Sequence, residues 1–373
     1  MSVTYAERPW IERYDEGMPT SLDFPDVPLH HFLKETAKRL PKSPALITTA
    51  SVPIFGRLSS RMTYEELDRY SDAMAAGLVE MGLKKGDKVA IVMPNCAAFA
   101  ITFFATLKAG GVVAATNPTY PVKKMEYQIN DSDAKIIVTL TMFYDTIKGI
   151  QANTKAQTVI VANIKEYLPT IAKWLFTIAR ERKDGHYLDK VKLGDHWFQD
   201  VLARYLGKRV KLDVTPDDIA LFQYTGGTTG VSKAAVAQHK ALVANMLQLN
   251  SVLSQFGVPG EEEIFLGAIP MFHVYGLVAM LNLSVYLGGK IVLIPNARDI
   301  DEVVACIDHY KPSLFPGVPA LYNAISNNEK VKAGEINLRS LRYCISGSAP
   351  LPVAVKEEFE RLSGSAVREG FGM

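Results

Sequence analysis

Apolar positions along the chain alternate between helical and strand spacings. Leu67, Tyr70, Met74, Leu78 and Met81 fall three or four apart, which is the stripe of a core-facing helix. Thr63-Tyr-Glu-Glu66 precedes them and reads as a capping box, in which a hydroxyl and a carboxylate satisfy free backbone donors at the helix start. Gly82 closes the helix, and Lys84-Lys85-Gly86-Asp87 turns the chain into a continuous apolar run at 89–93, a buried strand stopped by Pro94-Asn95. The stretch 96–115 is apolar apart from Thr and Lys108 and approaches the length of a membrane span, about 20 residues. Gly110-Gly111 splits it, so it reads as an amphipathic or buried helix over 95–109 and a buried strand over 112–115. Pro121 opens a further helix to about 130, and 135–139 is another strand. Residues 1–60 look irregular except for a helix near 29–40.

The same alternation returns after residue 238. Helices are expected at 239–253, 275–287, 300–310, 319–326 and 353–362, and strands at 264–269, 290–294, 313–315 and 342–345. Strands and helices of these lengths in alternation imply an α/β fold with mainly parallel sheets covered on both faces. Asp213-Val-Thr-Pro216-Asp-Asp218 resembles a linker turn, which divides the chain into a first α/β subdomain with its lead-in at 1–215 and a second at 216–373. The texture differs only at 164–183. There Ile171, Trp174, Leu175 and Ile178 share a helical face, and Lys173, Arg180, Arg182 and Lys183 make the segment basic. Such a helix either lies on a membrane surface or packs on the core with a solvated basic edge.

Composition narrows the function classes. At 373 residues the chain exceeds one ordinary domain, and 48% hydrophobic with 21% charged residues is globular usage. A net charge of +2 supplies no field to recruit nucleic acid. Cys96, Cys306 and Cys344 lie far apart without metal-ligand spacing and read as buried thiols of a reducing compartment. The first ten residues have no apolar core and do not form a secretory signal. The expected place is the cytoplasm, or the inner face of a membrane through 164–183; oligomeric state stays open, a homodimer included.

The chemistry concentrates in Tyr224-Thr225-Gly226-Gly227-Thr228-Thr229-Gly230-Val231-Ser232-Lys233, set between two apolar strand candidates at 219–223 and 234–237. Glycines let the backbone approach a ligand closely, and successive N–H groups there can form an anion-binding nest. Threonine hydroxyls add donors and Lys233 a mobile charge, which together make a polyphosphate cradle. Val231 and Ser232 separate Gly230 from Lys233, so it is not a Walker A loop. His273, in Pro270-Met271-Phe272-His273-Val274-Tyr275-Gly276, follows a strand, where an open α/β sheet binds ligands; an isolated His is otherwise more often structural.

The phosphate loop resembles that of the AMP-forming acyl-adenylate superfamily, which includes acyl-CoA synthetases, luciferases and the adenylation domains of peptide synthetases. That loop reads Tyr-Thr/Ser-Gly-Gly/Ser-Thr-Thr-Gly, two residues, then Lys. One departure stands out: the family usually has Pro before the Lys, and Ser232 takes its place, which predicts a looser loop. The lead-in residues Trp10, Tyr14 and Pro19 resemble those of bacterial long-chain acyl-CoA synthetases. By the resemblance, Thr225, Gly226, Gly227, Thr228, Thr229 and Gly230 hold ATP phosphates, with Lys233 assisting. His273 contacts the acyl carboxylate or α-phosphate, where amino-acid enzymes carry an Asp. Phe272, Tyr275, Gly276, Leu277, Gly317 and Val318 line the acyl pocket. Ser346, Gly347, Ser348, Ala349 and Pro350 form the adenine-side turn, and Gly370 and Phe371 complete it, the ring stacking on the base.

The implied activity is ATP-dependent conversion of a fatty acid to acyl-adenylate and then acyl-CoA, with Mg²⁺ and coenzyme A. The alternatives are a binding module without turnover or a ligase for an aryl acid. The implied fold is the large N-terminal domain of an acyl-CoA synthetase, two packed α/β subdomains with the barrel subdomain incomplete. In the family a Thr and a Glu that bind phosphate and Mg²⁺ follow the Gly-Phe-Gly-Met ending at Met373, and a mobile C-terminal domain lies beyond. The chain by itself is therefore expected to lack turnover. No residue within it is assigned as a metal ligand.

Overall fold

A computed structural model describes residues 8–52, 54–225, 232–254 and 263–372. The region expected to be irregular carries, besides helix α1 (His31–Arg39), an antiparallel hairpin of β1 (Pro44–Val52) and β2 (Gly56–Thr63). β2 is an edge strand with a half-polar sequence, Gly-Arg-Leu-Ser-Ser-Arg-Met-Thr, so periodicity alone did not mark it. Helix α2 (Tyr64–Glu80) begins on the expected capping box. The Glu66 N–H donates to Thr63 Oγ1 at 3.2 Å, and the Thr63 N–H donates to Glu66 Oε2 at 2.8 Å.

Strand and helix then alternate through β3 (Lys88–Val92), α3 (Ala97–Lys108), β4 (Val112–Ala115), α4 (Val122–Asp131), β5 (Ala134–Leu140), α5 (Tyr144–Gln151) and β6 (Thr158–Ala162). Helix α6 (Thr170–Ala179), β7 (His196–Trp197) and α7 (Phe198–Tyr205) lead to a second hairpin, β8 (Ile219–Tyr224) with β9 (Ala234–Gln238). Helix α8 (His239–Ser254) precedes β10 (Ile264–Gly267), β11 (Lys290–Leu293), β12 (Leu314–Gly317), β13 (Tyr343–Ser346) and β14 (Val367–Glu369).

These strands form two seven-stranded sheets, ordered β7-β6-β5-β3-β4-β8-β9 and β14-β13-β12-β10-β11-β1-β2. All neighbours are parallel except within the two hairpins. Among the described residues both sheets are open and no barrel closes. A division at 215/216 cuts across both sheets: β1–β2 sits with the late strands, and β8–β9, after the Asp213–Asp218 turn, sits with the early ones. The turn returns the chain to β4 in the first sheet, and the crossing to the second sheet comes after α8.

Period-two alternation builds the layers. On β3, Val89 and Ile91 enter a central core, while Ala90 and Val92 face an outer one shared with α4 and α5. On the second sheet Phe265 and Leu314 point to the same central core, and Leu266 and Phe315 to an outer one under helices Ile300–Tyr310, Pro319–Ser326 and Val353–Ser363. Helix α3 is apolar all round because it lies inside the central core, with Phe99, Phe103 and Phe104 fully buried. Gly110, at φ +67°, turns the chain from α3 toward β4, so the long apolar stretch is core; no described helix is long and apolar enough to cross a membrane.

Helix α6 differs. Only Ala172 on it is buried, and Ile171, Trp174, Leu175 and Ile178 are all exposed, which overturns packing of that face on the core.

Candidate functional site

Four adjacent parallel strands, β10, β12, β13 and β14, end at the same edge of the second sheet. Beyond those ends stand His273, Gly317-Val318, Ser346-Gly347-Ser348 and Gly370-Phe371. Carboxyl ends of parallel strands are where α/β sheets bind ligands, since the loops there are free of the layering helices.

The ends are tied together by backbone. The Gly347 N–H donates to Gly317 O at 3.1 Å, and the Gly370 N–H to Ser346 O at 2.8 Å. Tyr275 spans the group: its hydroxyl donates to Ile345 O at 2.8 Å, and its ring lies against Gly347, where a Cβ would come within 3.2 Å of Cε1 and Cζ. Burial raises its phenol pKa, so it stays a donor. Gly276 has no alternative, because a Cβ there would fall 2.0 Å from Pro270 O. Ser348 holds a left-handed backbone at φ +68° without being glycine, the strained geometry that concentrates at ligand sites.

His273 caps the helical segment that follows. Its Nδ1 accepts the Tyr275 N–H at 3.2 Å, which leaves Nε2 to carry the proton of the neutral ring. The ring is open to solvent on one side, yet surrounding protein lowers its pKa by desolvation, so it is neutral at pH 7. It therefore offers an uncharged N–H donor. Phe272 is partly buried. Leu277, expected at the pocket entrance, is buried in the central core at the start of a π-helical segment over Leu277–Asn282, whose Leu277 carbonyl accepts from Asn282 Nδ2 at 2.8 Å. Wide helical turns of this kind are frequent at functional sites.

One polar and one aromatic group point to a missing partner. Ser346 Oγ is buried with no hydrogen-bond partner among the described residues, and the Phe371 ring is 90% exposed. Ala349 and Pro350 continue the exposed turn. A flat heteroaromatic base fits such a glycine-floored turn beside an unstacked ring. Among the described residues no three acidic, His or Cys side chains converge as a metal cage.

The phosphate-loop residues 226–231 lie outside the described residues. The base of the loop does not. Thr225 closes β8 and its N–H donates to Lys233 O at 2.9 Å. Ser232 is buried rather than loose: its hydroxyl donates to Thr225 O at 2.7 Å and accepts from Gln128 Nε2 on α4 at 3.2 Å, and Tyr127 donates to its carbonyl at 3.1 Å. The expected slack from losing a proline is taken up at this base by side-chain bonds. Lys233 and Thr225 are exposed, at the carboxyl end of the first sheet.

Asn95 connects the two halves, and sequence pattern marked it only as a strand stop. Buried after β3, it donates through Nδ2 to Gly267 O at 2.9 Å and Ile269 O at 2.8 Å and accepts the Met271 N–H at 2.7 Å. It thus joins the carboxyl end of the first sheet to the segment bearing His273. The one signal available was an amide side chain directly after a buried strand.

A protein-family description, AMP-binding enzyme, matches residues 33–373. The chain belongs to the AMP-binding enzyme family. It is 32% identical over 370 residues to a long-chain-fatty-acid–CoA ligase of Bacillus subtilis (strain 168), covering 99% of this chain and 63% of that protein. It is also 32% identical over 373 residues to the ligase of the same name from Escherichia coli O157:H7, again 63% of that protein. The chain thus spans under two thirds of the length of these curated relatives. Among solved structures, ATP-bound MatB from Rhodopseudomonas palustris superposes with a TM-score of 0.71 at 25% identity, over 93% of this chain and 60% of that one. A long-chain-fatty-acid-CoA ligase from Archaeoglobus fulgidus shares the fold with a TM-score of 0.76 at 23% identity, over 97% and 67%.

Proposed function

We propose that this chain supplies the ATP- and acid-binding surfaces with which the full-length protein activates a long-chain fatty acid as its adenylate, the first half of an AMP-forming acid–thiol ligase reaction. The observation that carries the reading is the meeting of His273, the Ser346–Gly347 turn and Phe371 at the carboxyl ends of neighbouring parallel strands. The identity to long-chain-fatty-acid–CoA ligases supports the acid class.

In the proposed step a carboxylate oxygen attacks the α-phosphorus of ATP, and pyrophosphate leaves with the electron pair of the broken P–O bond. The protein supplies position and charge stabilisation. The adenine lies between the Ser346–Pro350 turn and Phe371, and the phosphates lie along Thr225, Gly226, Gly227, Thr228, Thr229 and Gly230 near Lys233. His273 donates Nε2–H to the acyl carboxylate or the α-phosphate oxygen; being neutral, it orients an anion without neutralising the nucleophile. Mg²⁺, which would arrive on the phosphates rather than in a protein cage, offsets their charge. Coenzyme A then displaces AMP to give the thioester. An amino-acid substrate is disfavoured, because His273 stands where an ammonium would need an acid.

Isotope exchange between pyrophosphate and ATP by the full-length protein, with palmitate, benzoate or leucine as the acid, tests the reading. Palmitate should drive exchange best, and His273→Ala should slow it by about 10²-fold, the scale of one lost oxyanion donor. Exchange driven best by leucine or benzoate would overturn the acid class. ATP binding without exchange under any acid would make the chain a nucleotide-binding module.

A further inference from the structure

We propose that the exposed apolar face of α6 docks on an anionic lipid bilayer. Ile171, Trp174, Leu175 and Ile178 occupy one side of this ten-residue helix, and Trp174 and Ile178 are each 70% exposed. Contiguous exposed apolar surface of this kind marks an interaction site.

The exposure is not that of a loosely attached segment. Asn163 Nδ2 donates to Glu181 Oε1 at 2.8 Å and to His186 O at 3.1 Å, while Lys165 Nζ binds both oxygens of the buried Glu181 at 2.6 and 2.7 Å. These bonds clamp the chain entering α6 to the chain leaving it. Phe176 packs edge-on against His186 with ring centroids 5.6 Å apart, Lys173 pairs with Glu166, and the Ser60 hydroxyl on β2 donates to Tyr167 O. The helix is fixed to the body by its other side, and its apolar side is held outward.

The shape and charge of the surface select the partner. A single helix of this length, about 15 Å, presents a convex strip rather than a groove, which suits a yielding apolar phase. Trp combines an apolar body with an N–H donor and favours the hydrocarbon–water boundary. Arg180, Arg182 and Lys183 are exposed where α6 ends, and over residues 164–192 seven Lys and Arg face four Asp and Glu. That surplus complements acidic head groups. A second copy fits less well, since a stable protein interface draws on about 20–30 residues a side and this face offers four large apolar side chains. The inference rests on α6 and its anchoring alone and stands or falls separately from the ligase reading.

Flotation of the purified chain with vesicles of phosphatidylcholine, alone or mixed equally with phosphatidylglycerol, provides the test. The chain should float with the mixed vesicles at low salt, lose most of that binding at high salt, and ignore pure phosphatidylcholine. Trp174→Ala/Ile178→Ser should weaken partitioning at least about tenfold, as should Arg180→Glu/Arg182→Glu/Lys183→Glu, with melting temperatures near that of the parent because the altered side chains are exposed. Failure of the chain to float with anionic vesicles, or flotation of both variants as strong as that of the parent, overturns the proposal. So does a solution dimer in sedimentation velocity that Trp174→Ala dissolves without any vesicle binding.

Discussion

A partly buried histidine, His30, and a buried one, His239, make the fold sensitive to acid. His30 and His239 meet edge to face with centroids 5.9 Å apart, and His239 Nδ1 accepts the Leu29 N–H at 3.2 Å. Burial, with the charges of His239 and Lys108 behind it, lowers the His30 pKa to about 3. Burial lowers His239 to about 4, with Asp218 opposing and Lys85 adding to the shift. Both are neutral in the folded chain and take up a proton only on unfolding once the pH is below the ordinary 6.5. Their stabilisation is therefore complete above pH 6.5 and is lost as pH falls toward 4 and then 3, by about 1.4 kcal/mol per pH unit for each group. Urea unfolding between pH 6.5 and 4.5 should show a slope that His30→Gln reduces by about one proton. An unchanged slope would assign the acid loss to other groups.

At the scale of elements, Asn95 holds the end of β3 and the segment after β10 in one register. Asn95→Ala takes the side-chain partner from the Ile269 carbonyl and the Met271 N–H, each costing about 1–3 kcal/mol when buried, while Gly267 O keeps the Ile294 N–H at 3.1 Å, so stability should fall by at least about 2 kcal/mol. Asn95→Asp keeps the acceptor for Met271 and forfeits both donors, so it should not rescue the loss. Denaturant midpoints of the two variants measure this; a wild-type midpoint in Asn95→Ala would show that the sheets align without it. Sequence pattern could not find Asn95, because its partners lie more than 170 positions away. Elements with a local cause were legible: the Thr63 capping box, the Gly110 break, and the helices Ile300–Tyr310 and Pro319–Ser326. The β1–β2 hairpin was not, since β2 mixes Ser, Arg and Leu on a half-exposed edge and gains its place from pairing with β1. The strand-end site was legible through short motifs, whereas the tautomer of His273 and the anchoring of Ser232 depend on neighbours brought in by the fold.

Across the whole molecule, the two sheets share one central core rather than owning one each. Val89, Ile91, Val113 and Ile136 from the first sheet, and Phe265, Ile291, Leu293 and Leu314 from the second, belong to the same buried cluster, with α3 between them. The hairpin β1–β2 reinforces this, because an early piece of chain completes the late sheet. Neither sheet can expose its inner face without opening the other, so the described halves should unfold as one cooperative unit. Phe103 is fully buried in the shared layer and stacks edge-on against Phe104 at 5.1 Å. Phe103→Ala should cost about 3–5 kcal/mol, the range for a buried Phe replaced by Ala. Hydrogen exchange followed by mass spectrometry reads the two sheets separately. In the variant, amides of β5 in the first sheet and of β12 and β13 in the second should lose protection by the same factor, because each exchanges through the same global opening. If β5 exchanges faster while β12 and β13 keep their parent protection, the sheets open independently, and the shared cluster is contact without cooperativity.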